Sequence, residues 1–141
     1  MTEKIGKYEV IRILGKGATA VVYLARDPDA QREVAIKLIK FGEDNAAMSR
    51  RLRKLFQIEG SVGRRLDHPN IVKIYDAQIE SDQAYIVMEY VEGRELRRHL
   101  GEGRHFEVPA AALVLRQILR ALDCAHLLGI VHRDIKPANV I

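Results

Sequence analysis

The residues with the most chemical content stand together at the C-terminal end of the 141-residue sequence: His132, Arg133, Asp134, Lys136, Pro137 and Asn139, within the run HRDIKPAN. Moving a phosphoryl group onto a hydroxyl requires a carboxylate that orients and deprotonates the attacking oxygen, which Asp134 could do. It requires oxygen donors for Mg²⁺ beside the phosphates, and the carboxamide of Asn139 could be one. Lys136 would bring a cation to the transferring group as negative charge builds there. His-Arg-Asp alone is a common charged surface tripeptide, so a solvated loop is the competing reading. The lysine, proline and asparagine that follow at +2, +3 and +5 from Asp134 make chance a poor explanation.

Two more charged residues fall on apolar faces. Glu33–Lys40 (EVAIKLIK) reads as a strand, with Ala35, Lys37 and Ile39 on one face and Val34, Ile36 and Leu38 on the other. Lys37 there must be paired or reach solvent, and a snorkelling edge lysine is the plain alternative. Residues 43–66 read as a long helix, with Glu43, Asp44 and Asn45 as capping residues. Leu52, Leu55, Phe56, Val62 and Leu66 follow its period, and Glu59 lies on the same stripe. A carboxylate on that side needs a partner, because burying it alone is costly. Lys37 is the obvious candidate.

Glycines supply a third feature. Tyr8–Leu14 and Val21–Ala25 are rich in β-formers, so Gly15 and Gly17 fall in the turn between two strands. Glycine lets backbone approach a ligand and point N–H groups at phosphate oxygens. The Gly-Lys-Ser/Thr ending of a Walker A loop is absent, and a strand instead of a helix follows the glycines, against a dinucleotide fingerprint. An ordinary hairpin turn fits the two glycines as well.

The elements that must position these groups follow from the remaining pattern. Asp27–Arg32 is a turn. His68-Pro69-Asn70 opens a strand at Ile71–Ile79, and Glu80–Gln83 turns into another at Ala84–Tyr90. Five consecutive strands with one helix after the third predict an antiparallel sheet with a helix on it, an α+β arrangement. Val91-Glu92-Gly93-Arg94 breaks the pattern as a linker. A short helix is expected over Glu95–Leu100, and a longer one over Pro109–Leu128 closed by Gly129. That helix is apolar around at least half its circumference, with Arg116, Arg120 and Asp123 as its polar stripe.

Composition narrows the class. With 48% hydrophobic and 30% charged residues the chain suits a soluble globular protein about one domain long. The net charge of +4 invites a nucleic-acid reading, but Arg50, Arg51, Arg53 and Lys54 have the spacing of a solvated helix face, so no nucleic-acid partner is expected. The single cysteine, Cys124, excludes an intramolecular disulfide and reads as a small core residue. The charged N-terminus is no secretion signal, and no apolar run has the length of a membrane span. A cytoplasmic location is the expectation.

In order, a glycine loop, VAIK, a helix carrying Glu59, HPNIV, VMEYVEG and HRDIKPAN resemble the eukaryotic-like serine/threonine protein kinases, in texture their bacterial branch. The resemblance runs from about Tyr8 to Ile141 and covers the first half of a kinase domain. It implies a kinase-like N-lobe over residues 1–91, a five-stranded antiparallel sheet plus one long helix. Residues 92–141 would then be the hinge, short helix, long helix and catalytic loop of a truncated C-lobe. It implies a transferase that moves the γ-phosphate of ATP, with Mg²⁺, to a serine or threonine hydroxyl of a protein.

Carried over by position, Gly15, Gly17 and Val22 resemble the loop over ATP, and Lys37 the lysine on its α- and β-phosphates, with Glu59 its helix partner. Met88 resembles the residue at the back of the adenine pocket, and the backbones of Glu89 and Val91 the hinge. Leu14, Val22 and Ala35 would sandwich the base above Ile141. Glu95 would reach the ribose, or be only a surface carboxylate at a helix start. Asp134 would be the catalytic base, Lys136 the γ-phosphate cation and Asn139 the Mg²⁺ ligand. His132 would shape the loop, and Arg133 resembles the arginine that receives a phosphorylated activation loop.

Two departures stand out. Ala20 replaces the third glycine of the loop. The sequence ends at Ile141, before any Asp-Phe-Gly, so the resemblance implies an N-terminal fragment inactive by itself. It also leaves open a non-catalytic module, a half-kinase that holds nucleotide or docks on a partner, and self-association through the apolar surface of the long helix.

Overall fold

The computed structural model describes residues 3–42 and 46–141, so the expected cap Glu43–Asp44–Asn45 lies outside the described residues. The chain forms two compact units. One runs up to Arg65 and includes Lys73–Tyr90; the other contains Leu66–Val72 and Val91–Ile141.

The first unit is an antiparallel sheet with one helix. Its strands are β1 (Lys4–Ile5), β2 (Tyr8–Lys16), β3 (Ala20–Asp27), β4 (Arg32–Lys40), β5 (Ile74–Ile79) and β6 (Gln83–Glu89), and its helix is α1 (Ala46–Arg65). The strand order is β1-β2-β3-β4-β6-β5. Five of these strands are those the sequence pattern predicts. The sixth, β1, is too short to show any alternation, but Ile5 pairs with Tyr8 across the two-residue turn Gly6-Lys7. Glycine is required at the turn: its φ is 56°, and a Cβ there would stand 2.4 Å from the Tyr85 hydroxyl oxygen. Gly15 is not in a turn as expected. β2 continues through Lys16, pairing Gly15 with Val22, and only residues 17–19 form the tip. The strand expected from Ile71 begins at Ile74, because Leu66–Val72 folds with the other unit and the Ile71 N–H donates to the His68 carbonyl within it.

Both faces of the sheet are covered, which explains why β4 carries apolar residues on each side. Val34, Ile36 and Leu38 join Ile5, Tyr8, Ala25, Tyr85 and Val87 in one core cluster. Ile39 faces the other way, with Ala84, Ile86, Phe41 and Phe56 of α1. Phe56 is only 2% exposed and is the main apolar anchor of α1. Arg53 adds a polar one: its guanidinium lies over the Phe41 ring and donates to the carbonyls of Glu80 and Ser81. Arg64 holds the far end, donating to Asp76 Oδ1 at 3.2 Å.

The β3–β4 turn is organised by Asp27, a buried carboxylate. Its Oδ1 accepts the backbone N–H groups of Asp29 and Ala30 at 3.0 and 3.2 Å, and Lys7 Nζ lies 3.8 Å away. Burial works to raise its pKa, but these donors and the lysine outweigh it and hold the carboxyl below its ordinary value.

The second unit contains α2 (Leu96–His99), α3 (Val108–Leu127) and a 3₁₀ turn at Pro137–Asn139. Pro109 sits in the first turn of α3, and Gly129 (φ 73°) ends it. The N–H groups of Gly129 and Ile130 donate to the carbonyls of His126 and Ala125, the Schellman closure that a terminal glycine permits. Leu113, Leu115, Leu119 and Leu127 of α3 are each more than half exposed. No helix among the described residues is long and apolar enough to cross a membrane.

Candidate active site

Lys37 is placed by the centre of the sheet. It stands opposite Val22 on β3 and Ile86 on β6, with Ala35 one alternation away and itself opposite Leu24 and Met88. Val22, Ala35, Lys37 and Met88 therefore share a face of the sheet, the face on which α1 packs. From that helix Glu59 reaches down. Lys37 Nζ donates to both carboxylate oxygens of Glu59, at 2.9 and 3.0 Å. The pair is half open to solvent, with side-chain exposures of 30% and 47%. It satisfies the charge that an apolar strand face and an apolar helix stripe each leave without a partner.

The glycines lie nearby in the sheet register. A Cβ on Gly15 would meet nothing within 4 Å, and neither Gly15 nor Gly17 has a positive φ. Packing and backbone conformation thus give no reason for glycine at Gly15. Leu14 occupies the irregularity between Ile13 and Gly15. At the end of β6 the Glu89 N–H donates to the Lys73 carbonyl at 2.8 Å, while its carboxylate accepts the Lys73 N–H at 3.2 Å. The side-chain half of that clamp has no signal in the sequence.

In the second unit the loop residues hold one another. The Asn139 side-chain amide donates to the Asp134 carbonyl at 2.9 Å and to Asp134 Oδ2 at 3.3 Å. Lys136 Nζ also lies 3.3 Å from Asp134 Oδ2. Asp134 Oδ1 is left as the free acceptor of a carboxylate that is 63% exposed. His132 Nδ1 accepts the Asp134 backbone N–H at 3.1 Å, so its other ring nitrogen carries the proton when the ring is neutral. Arg133 between them has φ 66°, a left-handed conformation that an arginine rarely adopts. The sequence offers no sign of that strain, which lies next to the carboxylate-bearing residue.

Val91, Glu95 and Ile141 also belong to this unit. The Leu96 N–H donates to the Val140 carbonyl at 2.7 Å, and Ile141 Cγ2 lies 3.2 Å from where a Cβ on Gly93 would be. These contacts bring the start of α2 against the segment after the loop. Glu95 itself accepts from Arg97 at 3.0 Å. No group of three or more histidine, cysteine or acidic residues converges as a metal cluster among the described residues.

A strand lysine bound by a helix glutamate, a glycine-bearing hairpin in the same sheet and a loop bearing Asp, Lys and Asn at fixed spacing are the features by which protein kinase domains are recognised. The chain belongs to the protein kinase domain family, which matches residues 8–141. It is similar to serine/threonine-protein kinase PrkC of Bacillus subtilis, 44% identical over 138 residues that make up 96% of this chain and 20% of PrkC. A probable serine/threonine-protein kinase of Clostridium acetobutylicum is 40% identical over 137 residues, again 96% of this chain and 20% of that protein. Among solved structures, the PknI kinase domain of Mycobacterium tuberculosis superimposes with a TM-score of 0.82 at 32% identity, covering 99% of this chain and 57% of that one. The chain therefore spans about a fifth of these two curated relatives and somewhat more than half of the solved kinase domain.

Proposed function

We propose that this chain carries the nucleotide-binding and catalytic-loop portion of a serine/threonine protein kinase, which transfers the γ-phosphate of ATP to a protein hydroxyl. The observation that carries the reading is the arrangement around Asp134 on an exposed loop, where its Oδ2 lies 3.3 Å from both the Asn139 side-chain amide and the Lys136 ammonium. A surface loop without a catalytic role has no need of a carboxylate steadied by an asparagine and a lysine beside a left-handed arginine.

In this reading Asp134 Oδ1 accepts the proton of the serine or threonine hydroxyl as that oxygen attacks the γ-phosphorus and the bond to the β–γ bridging oxygen breaks, releasing ADP. Lys136 meets the negative charge that gathers on the transferring group. Lys37, fixed by both oxygens of Glu59, presents a cation of defined position to the α- and β-phosphates, because a tethered ammonium loses less entropy on binding than a free one. Gly15 and Gly17 let the hairpin backbone come close to the phosphates, consistent with the open space above Gly15. Leu14, Val22, Ala35 and Met88 of the first unit offer apolar surface to the base. The backbone of Glu89 offers it a hydrogen bond, while Glu95, engaged by Arg97, is either a ribose contact or a surface carboxylate. Asn139 fits as one oxygen ligand of Mg²⁺: its amide nitrogen is engaged by Asp134, leaving Oδ1 as the donor atom. A Mg²⁺ held there would supply neutralisation of the phosphate charge.

Calorimetry of the full-length protein with Mg-ATP tests the reading. Lys37→Ala is expected to weaken binding about tenfold, the loss of one charge-assisted contact to phosphate. Equal affinity in the two proteins would remove Lys37 from the nucleotide site.

A further inference from the structure

Helix α1 meets β5 through two glycines, Gly60 and Gly63. Neither has a positive φ, so conformation does not require glycine at either position. In a helix interior each glycine costs about 1 kcal/mol relative to alanine. What they provide is room. A Cβ on Gly63 would stand 2.4 Å from Ile74 Cγ1 and 3.4 Å from Ile74 Cβ; one on Gly60 would stand 3.0 Å from Ala77 Cβ. Ile74 cannot simply swing aside, because Cγ1 is attached to the branched carbon of a strand residue with a restricted χ1.

Reaching ordinary contact with a methyl on Gly63 would move α1 or β5 by about 1 Å. Glu59 lies one turn earlier on the same side of the helix. Its bonds to Lys37 Nζ are 2.9 and 3.0 Å long, and about 1 Å of displacement takes them out of hydrogen-bond range. We propose that Gly63 is a positioning residue for the Lys37–Glu59 pair: its missing side chain sets the spacing of α1 and β5 that brings the carboxylate onto the ammonium. Gly60 supports the same approach more weakly. That the pair serves nucleotide binding rests on the function proposed above; that Gly63 sets its distance does not.

The experiment treats the full-length protein with a water-soluble carbodiimide, which condenses a neighbouring amine and carboxylate to an amide, and reads the Lys37–Glu59 cross-link by peptide mass spectrometry. Wild type is expected to form the link, Gly63→Ala to lose it, and Gly63→Ala with Ile74→Ala to regain it. Mg-ATP affinity should follow the same order, falling about tenfold and recovering. Thermal unfolding separates this from a merely structural effect. Helix propensity alone makes Gly63→Ala neutral or stabilising, and Ile74→Ala adds a cavity, so stability cannot recover in the double variant while the cross-link does. An unchanged cross-link in Gly63→Ala, or no return in the double variant, overturns the proposal. If Gly63→Ala does not fold, Gly60→Ala carries the test, with a reduced yield expected and Ala77→Gly expected to restore it; an unchanged yield overturns it. A cross-link that follows the predicted order in a protein that binds no Mg-ATP leaves the positioning role standing and removes the nucleotide reading.

Discussion

The two groups of candidate residues, one in each unit, are built in opposite ways. Lys37 and Glu59 come from a central strand and a helix 22 residues apart in sequence, and what joins them is the packing of α1 on the sheet through Phe56. Asp134, Lys136 and Asn139 lie within six consecutive residues, exposed, and hold one another through local hydrogen bonds. The difference teaches where chemistry and stability are coupled. In the sheet the ion pair is a consequence of the core, so disturbing either disturbs the other. In the loop the candidate side chains are exposed and bonded only to one another, away from the packed core.

The largest expected effect tests the loop. Asp134→Ala in the full-length protein should lower phosphate transfer to a serine/threonine substrate by about 10²–10⁴-fold, the range for loss of a general base. Unfolding free energy should stay within about 0.5 kcal/mol, as for a surface substitution, since the Asn139 bond to the Asp134 carbonyl survives. Transfer kinetics and thermal unfolding on the same preparation check both halves. A variant that unfolds several degrees earlier would break the separation drawn above.

Phe56→Ala should show the reverse pattern. The ring is buried among Ile39, Phe41, Ala84 and Ile86, and its truncation is expected to cost about 3–5 kcal/mol. With its main anchor gone α1 should loosen, and nucleotide affinity should fall although Phe56 is not assigned any contact with nucleotide. Denaturant unfolding and calorimetry are the measurements. Loss of stability with affinity intact would mean that the ion pair does not depend on that packing.

The same contrast governs what could be read from the sequence. Asp134, Lys136 and Asn139 were legible because their geometry is local and spacing alone brings them together. The strands and α1 were legible from periodicity, and the Lys37–Glu59 contact from the cost of leaving either charge alone on an apolar face. β1 was not, since two residues carry no pattern and its evidence is only the Gly6-Lys7 turn between Ile5 and Tyr8. The late start of β5 was hidden because Ile71 and Val72 have strand-like side chains, yet the backbone of Leu66–Val72 belongs to the other unit. Gly15 reads as a turn residue by type, while its strand pairing with Val22 is set by the register of the whole hairpin. The left-handed Arg133 has no side-chain signature at all.

The smallest effect sharpens the comparison from the first unit, at a residue remote from the chemistry. Asp27 is charged, buried and caps the β3–β4 turn, and its folded pKa is lowered because the backbone donors of Ala30 and Asp29, with Lys7, outweigh the opposing effect of burial. A carboxylate whose pKa falls on folding stabilises the native state above its unfolded value of about 4. That contribution is lost as pH drops through the lower, folded pKa. Asp27→Asn keeps Oδ1 as an acceptor for the two N–H groups but carries no charge. It should therefore cost about 1 kcal/mol or less at neutral pH. The wild type should give up its advantage over the variant as pH is lowered below that unfolded value and its carboxyl takes up a proton. Unfolding midpoints of the two proteins, measured across that range, should converge on the acid side. A constant gap would show that the turn is held by geometry alone and that the charge of Asp27 contributes nothing.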